Sequence, residues 1–163
     1  MKRIFVIIAV LLAGSLQLFA QSTKMESFFR RYSNYDGVVF QQITGGSRIV
    51  SFLEKEYGDE ESIFDDDQME LFAHYVKRLV YFKIEEDAFD DEIGDRFADG
   101  FQSVLESESF IDISDEDDEG LVYVRLDESM SNMNELFFAY QDDEGSIVFL
   151  DLIGSIPLED EDY

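Results

Sequence analysis

The chain has 163 residues, with 38 Asp+Glu against 12 Lys+Arg and a formal charge of −26, one domain's worth of strongly acidic protein. It has no Cys, no Trp, one His and 16 Phe, which excludes disulfides, thiolate chemistry, iron–sulfur clusters, Cys-type zinc, lipid-modified cysteine and multi-His metal sites. The negative balance argues against electrostatic contact with nucleic acid or an anionic membrane.

Residues 1–20 read as a cleaved secretory signal peptide. Lys2 and Arg3 form a positive start, and Ile4 to Ala13 is an unbroken apolar run, shorter than the roughly 20 residues a spanning helix needs. Ala20 offers a small residue for cleavage, although Leu18 two residues before it is bulkier than such a site favours. A Sec-type signal implies export to the periplasm or outside the cell, as a soluble protein with no membrane insertion after cleavage. Removing residues 1–20 leaves 143 residues, and the loss of Lys2 and Arg3 takes the charge to −28. A chain of that size can bury a single core, and its aromatics separate it from an acidic disordered tail. The expected organisation is a signal at 1–20, one acidic domain over 21–158 and an acidic tail at 159–163.

Thr23 and Glu26 have capping-box spacing, with Met25, Phe28, Phe29 and Tyr32 on one side of a short helix to about Ser33. Val38 to Ile43 reads as a strand, and Ser47 to Tyr57 as a helix ended by Gly58. Asp67 and Glu70 make a second capping-box-like pair, followed by a change to strand alternation around Arg78. The acidic stretch Glu85 to Asp87 is expected to cap a longer helix with a stripe of Phe89, Ile93, Phe97, Phe101 and Leu105. Gly94 and Gly100 interrupt that helix at a cost of about 1 kcal/mol each.

After Ser107 the pattern is β. Two hairpins are legible: Phe110 to Ile113 with Leu121 to Leu126, and Leu136 to Tyr140 with Ile147 to Ile153. Asp-Asp-Glu-Gly stands in both turns, at 117–120 and 142–145. The last strand is apolar on both faces, which predicts a central position. The fold class expected is α+β: a mostly antiparallel sheet of about five or six strands, with three or four helices packed mainly on one face. Any sheet face left over needs cover from helices, from a second copy of the chain in a homodimer, or from a partner.

The layout resembles an exported bacterial family known as domain of unknown function 4252. The parts are Phe19-Ala20-Gln21 at the signal's end, Phe28-Phe29-Arg30-Arg31-Tyr32 leading into Gly37-Val38-Val39, and the strand Val80-Tyr81-Phe82. They continue with Leu121-Val122-Tyr123-Val124, Asn134-Glu135-Leu136, and Ile147 to Gly154 closed by Ile156 and Leu158. The resemblance implies an export-associated α+β domain and supplies no catalytic or cofactor-binding residues.

Calcium is the natural chemistry for so many carboxylates. Asp115, Asp117 and Glu119 alternate before Gly120 as in an EF-hand loop, but Leu126 stands at the twelfth position, where a bidentate Glu is required. The segment therefore reads first as a solvated acidic turn, and weak diffuse Ca²⁺ binding is the only cofactor chemistry it suggests. His74 shares a polar helix side with Glu70 and Lys77, and no nucleophile has a context that points to it. Three functions follow in order: a non-enzymatic module binding a cell-envelope protein with a basic surface, a calcium-dependent binding domain, and a hydrolase using paired carboxylates.

Overall fold

The computed structural model describes residues 22–57, 64–115 and 120–158. The signal and tail segments lie outside the described residues. Four helices and six strands follow in the order α1 (Lys24–Tyr32), β1 (Val38–Thr44), α2 (Gly46–Tyr57), α3 (Asp66–Tyr75), β2 (Val76–Ile84), α4 (Asp91–Ser107), β3 (Ile111–Asp112), β4 (Leu121–Leu126), β5 (Asn132–Gln141) and β6 (Ile147–Pro157). The strands form one antiparallel sheet in the order β1-β2-β6-β5-β4-β3. The α+β class, the two C-terminal hairpins and the central place of β6 are as the sequence predicts.

The helices divide between both faces, where gathering mainly on one was expected. Strand alternation gives the reason. In β2, Val80, Phe82 and Ile84 point to one face and Leu79 and Tyr81 to the other, so both faces are apolar and both need cover. α1 and α4 cover the first face: Phe28, Phe29, Phe97, Val104 and Leu105 pack on Val80, Phe82, Phe137 and Phe149. Phe29 stacks on Phe82 with ring centroids 4.5 Å apart. α2 and α3 cover the second face, where Ile49, Leu53 and Phe72 pack on Leu79, Leu136, Leu150 and Leu152.

Helix starts differ from the expected ones by a few residues. Asp65, not Asp67, caps α3: its Oδ1 accepts from Gln68 N at 2.8 Å, and Gln68 Oε1 accepts from Asp65 N at 3.0 Å. The buried Phe64 just before the cap sets that entry, its ring 5.2 Å from Phe72. α4 is capped by Asp90, whose Oδ1 accepts from Ile93 N at 2.8 Å. Glu85 and Ala88 instead close a turn, Ala88 N donating to Glu85 O. A third hairpin joins β4 to β5. Asp127 holds its turn, accepting from Ser131 N, Asn132 N and the Asn132 and Ser129 side chains. These bonds, the Asn132 side chain's first, depress its carboxyl to about 2.

Candidate functional site: an apolar groove and a buried charge cluster

Strand register arranges the α1/α4 face in rows. One row runs Phe82, Phe149, Ala139, Leu121; the next runs Val80, Asp151, Phe137, Tyr123; the last runs Arg78, Ile153, Glu135, Arg125. The first row lies at the apolar end and the last at the charged end.

At the apolar end a groove of about 610 Å³ opens between α4 and the sheet. Ligand pockets span about 300–1,000 Å³, so the volume suits a small molecule or a few side chains of a partner. Phe97, Phe101 and Phe149 form its floor, with Phe101 and Phe149 centroids 5.5 Å apart. Phe89, Leu121, Ala139 and Ile147 complete the apolar lining, while Glu85, Glu86 and Gln141 stand at its border. Leu121 and Ile147 are 44% exposed, high for large apolar side chains in a sheet. Two glycines shape the walls. Gly94 lines the groove from α4, and a Cβ there would meet nothing within 4 Å. Gly145 holds the β5–β6 turn at φ 81°, and a Cβ there would stand 3.1 Å from the Glu86 carboxyl carbon.

At the other end the same face buries charge. Glu26 is fully buried on α1, and its expected return to the Thr23 backbone is replaced by bonds to Arg30 one turn on and to the distant Gln42 and Arg78. Its Oε1 accepts from Arg30 Nη2 at 2.9 Å and Gln42 Nε2 at 2.6 Å, and its Oε2 lies 3.3 Å from Arg78 Nε. Thr23 Oγ1 still accepts from Glu26 N, so one half of the capping box forms. Arg125 Nε donates to Glu135 Oε2 at 2.8 Å, and its Nη2 lies 2.8 Å from the same oxygen as an ion pair.

Asp151, fully buried on β6, is the third acid. Glu26 is met by the guanidiniums of Arg30 and Arg78 and Glu135 by that of Arg125, so Asp151 shares Arg125 and Arg78 with acids that they already pair. Burial raises its carboxyl well above the ordinary range; Glu135 beside it raises it further, while Arg125 and Arg78 oppose the shift. As a carboxylate, Asp151 would have neither oxygen hydrogen-bonded, and Glu135 Oε1 would be bare as well. A protonated Asp151 would donate to Glu135, which pairs one of its oxygens with one of Glu135's.

The cluster and the groove do not merge: none of these charged residues lines the groove. Glu135 and Asp151 are 1% and 0% exposed, so the pair of carboxyls is closed to a substrate. Sequence reasoning missed the cluster, though an acid at 151 inside an otherwise apolar central strand is its signal.

Of the residues singled out for metal binding, Asp117 and Glu119 lie outside the described residues, while Asp115 lies just beyond β3. Among the described residues no group of three or more His, Asp or Glu could hold a metal ion. His74 lies in the last turn of α3, and the surface depression beside it is lined by the α3 segment alone, from Asp65 to Tyr75. No described helix is long and apolar enough to cross a membrane. No protein-family model, curated protein or solved structure matches the chain.

Proposed function

We propose that this chain is an exported, non-enzymatic binding module of the bacterial cell envelope. Its ligand is a segment of a protein that carries an apolar anchor with basic flanks. The observation that carries the reading is the open groove: a phenylalanine floor, exposed Leu121 and Ile147, and Glu85 and Glu86 at the border. An apolar anchor gains affinity from such a floor. A border of carboxylates on a molecule of charge −26 steers in cations and repels acids. The resemblance to the exported family of domain of unknown function 4252 supports the location, as does the signal-like start.

The test uses two synthetic peptides with the same apolar centre, one flanked by Lys and one by Glu. Fluorescence titration is expected to show the Lys-flanked peptide binding, more weakly as salt rises. Gly94→Leu places a side chain in the open space of the groove wall and improves the helix. It is expected to abolish binding while the melting temperature holds or rises. Equal binding of both peptides, or binding untouched by Gly94→Leu, would sink the proposal.

A further inference from the structure

Between Asp36 and Glu54 the chain has no acidic residue, although acids make up 38 of its 163 residues. That stretch folds into β1 and most of α2, so β1 itself brings no acid to the edge of the sheet; the acids beside it are buried Glu26, which bonds Gln42, and exposed Asp36 and Glu85 at the start of the strand. β1 reads Val-Val-Phe-Gln-Gln-Ile-Thr, without charge or Pro, and pairs with β2 over seven residues with no bulge. Natural edge strands are usually guarded by charge, Pro, bulges or shortness, because an unguarded edge recruits another strand. The opposite edge obeys that rule, for β3 is two residues long and one of them is Asp112. β1 has no such guard.

Two hydrogen bonds fix which backbone groups face outward. Glu85 N donates to Gly37 O, and Gly45 N donates to Lys77 O. The odd-numbered residues from 37 to 45 therefore exchange bonds with β2. Antiparallel alternation turns the N–H and C=O of Phe40, Gln42 and Thr44 away from it. Val38 is already engaged, its N–H donating to Tyr35 O. The three outward residues are symmetric about Gln42, and Gln42 and Thr44 are exposed.

We propose that β1 is where two copies of this chain join, antiparallel about a two-fold axis at Gln42, to make one continuous sheet. Gln42 pairs with its own copy and Phe40 with Thr44 of the second copy, giving about six backbone hydrogen bonds. Charge selects the occupant. Two molecules of −26 repel least where the meeting strand carries no acid of its own, and the one acid bonded to Gln42, Glu26, is buried and paired with Arg30. Along the three outward residues and the turn after them the exposed charges are Arg30, which bonds Gln42, and Arg48, whose N–H bonds Gly45, which disfavour the basic segment proposed for the groove; Asp36 and Glu85 stand at the far end, before the strand. Arg30 is already held by Glu26 at 2.9 Å, which lowers its repulsion from a second Arg30.

Sedimentation velocity on the purified protein tests this across a range of concentrations and at two salts. The Debye length falls from about 30 Å at about 0.01 M to about 8 Å at about 0.15 M. A self-dimer of acidic molecules is therefore expected to tighten with salt. A monomer at every concentration would overturn the proposal. So would an assembly that weakens as salt rises, the behaviour of a contact between opposite charges. Two variants check the register. Gln42→Lys sets like charges face to face on the axis, and Thr44→Pro removes an outward N–H that β2 does not use. Thr44→Pro is expected to weaken the dimer about tenfold or more, through one lost bond on each copy. Gln42→Lys is expected to weaken it at low salt above all. Circular dichroism shows whether each variant keeps its fold, and a dimer unchanged in a folded variant also overturns the proposal.

Discussion

Asp151 occupies a position on the central strand where Val or Ile would ordinarily stand, and burial there favours its neutral form. Because its folded-state pKa lies above the ordinary 3.8, the native state holds the proton more tightly than the unfolded chain does. The stability it contributes is full below that ordinary value and is lost as pH rises through the raised one. Asp151→Asn keeps a donor for Glu135 and removes the titration. Its melting temperature relative to the wild type is expected to climb from about pH 4 upward and then level off. A difference that stays flat with pH would mean that Asp151 is ionised in the fold. The sequence showed part of this. An acid amid Val148, Phe149, Leu150, Leu152 and Ile153 is visible in one line of text. Its partners are not, because Glu26, Arg78, Arg125 and Glu135 come from four separate elements that only the sheet register and the packing of α1 bring together. Glu26 misled for a further reason: its spacing from Thr23 fits a cap, and burial beneath α1 gave it stronger partners.

Within α4, two glycines that look alike in the sequence have opposite roles. A Cβ on Gly100 would lie 2.7 Å from Phe28 Cε2, inside the core contact between α1 and α4. A Cβ on Gly94 would meet nothing within 4 Å. Gly100→Ala is therefore expected to destabilise by about 1–3 kcal/mol through overpacking, and Gly94→Ala to stabilise by up to about 1 kcal/mol. Urea midpoints of the two variants decide it, and a shift of the same sign in both would contradict the assigned packing. The groove was hidden for the same reason. Phe89, Phe97 and Phe101 are legible as one helical stripe, but that the helix stands off the sheet at Gly94 depends on where Phe28 meets Gly100. Strands were easier to read, since alternation and the turn at Gly145 report local geometry directly. The starts of α3 and α4 were displaced because several acids near each were suitable caps. Burial of Phe64 and the turn from Glu85 to Ala88 made the choice.

Across the whole molecule the formal charge is −26, and among the described residues the buried acids are Glu26, Glu135 and Asp151. The other described carboxylates are mostly on the surface, where they repel one another and destabilise the compact state. Raising monovalent salt from about 0.01 M to about 0.15 M shortens the reach of that repulsion. The melting temperature, measured by calorimetry on dilute protein, is expected to rise over that range. A fall would mean that attractive ion pairs such as Lys24–Glu108 and Lys83–Asp142 outweigh the repulsion.

The last strand of the chain is also the middle of the sheet, and synthesis runs in the other order. Until β6 leaves the ribosome, β1 with β2 and β5 with β4 and β3 are two ribbons with a gap between them. Each hydrophobic cluster then lacks part of its floor: Phe149 on one side, Leu150 and Leu152 on the other. Removing the strand from Ile147 onward therefore leaves both hydrophobic clusters without part of their floor at once, because that eleven-residue strand alone joins the two ribbons and serves both layers.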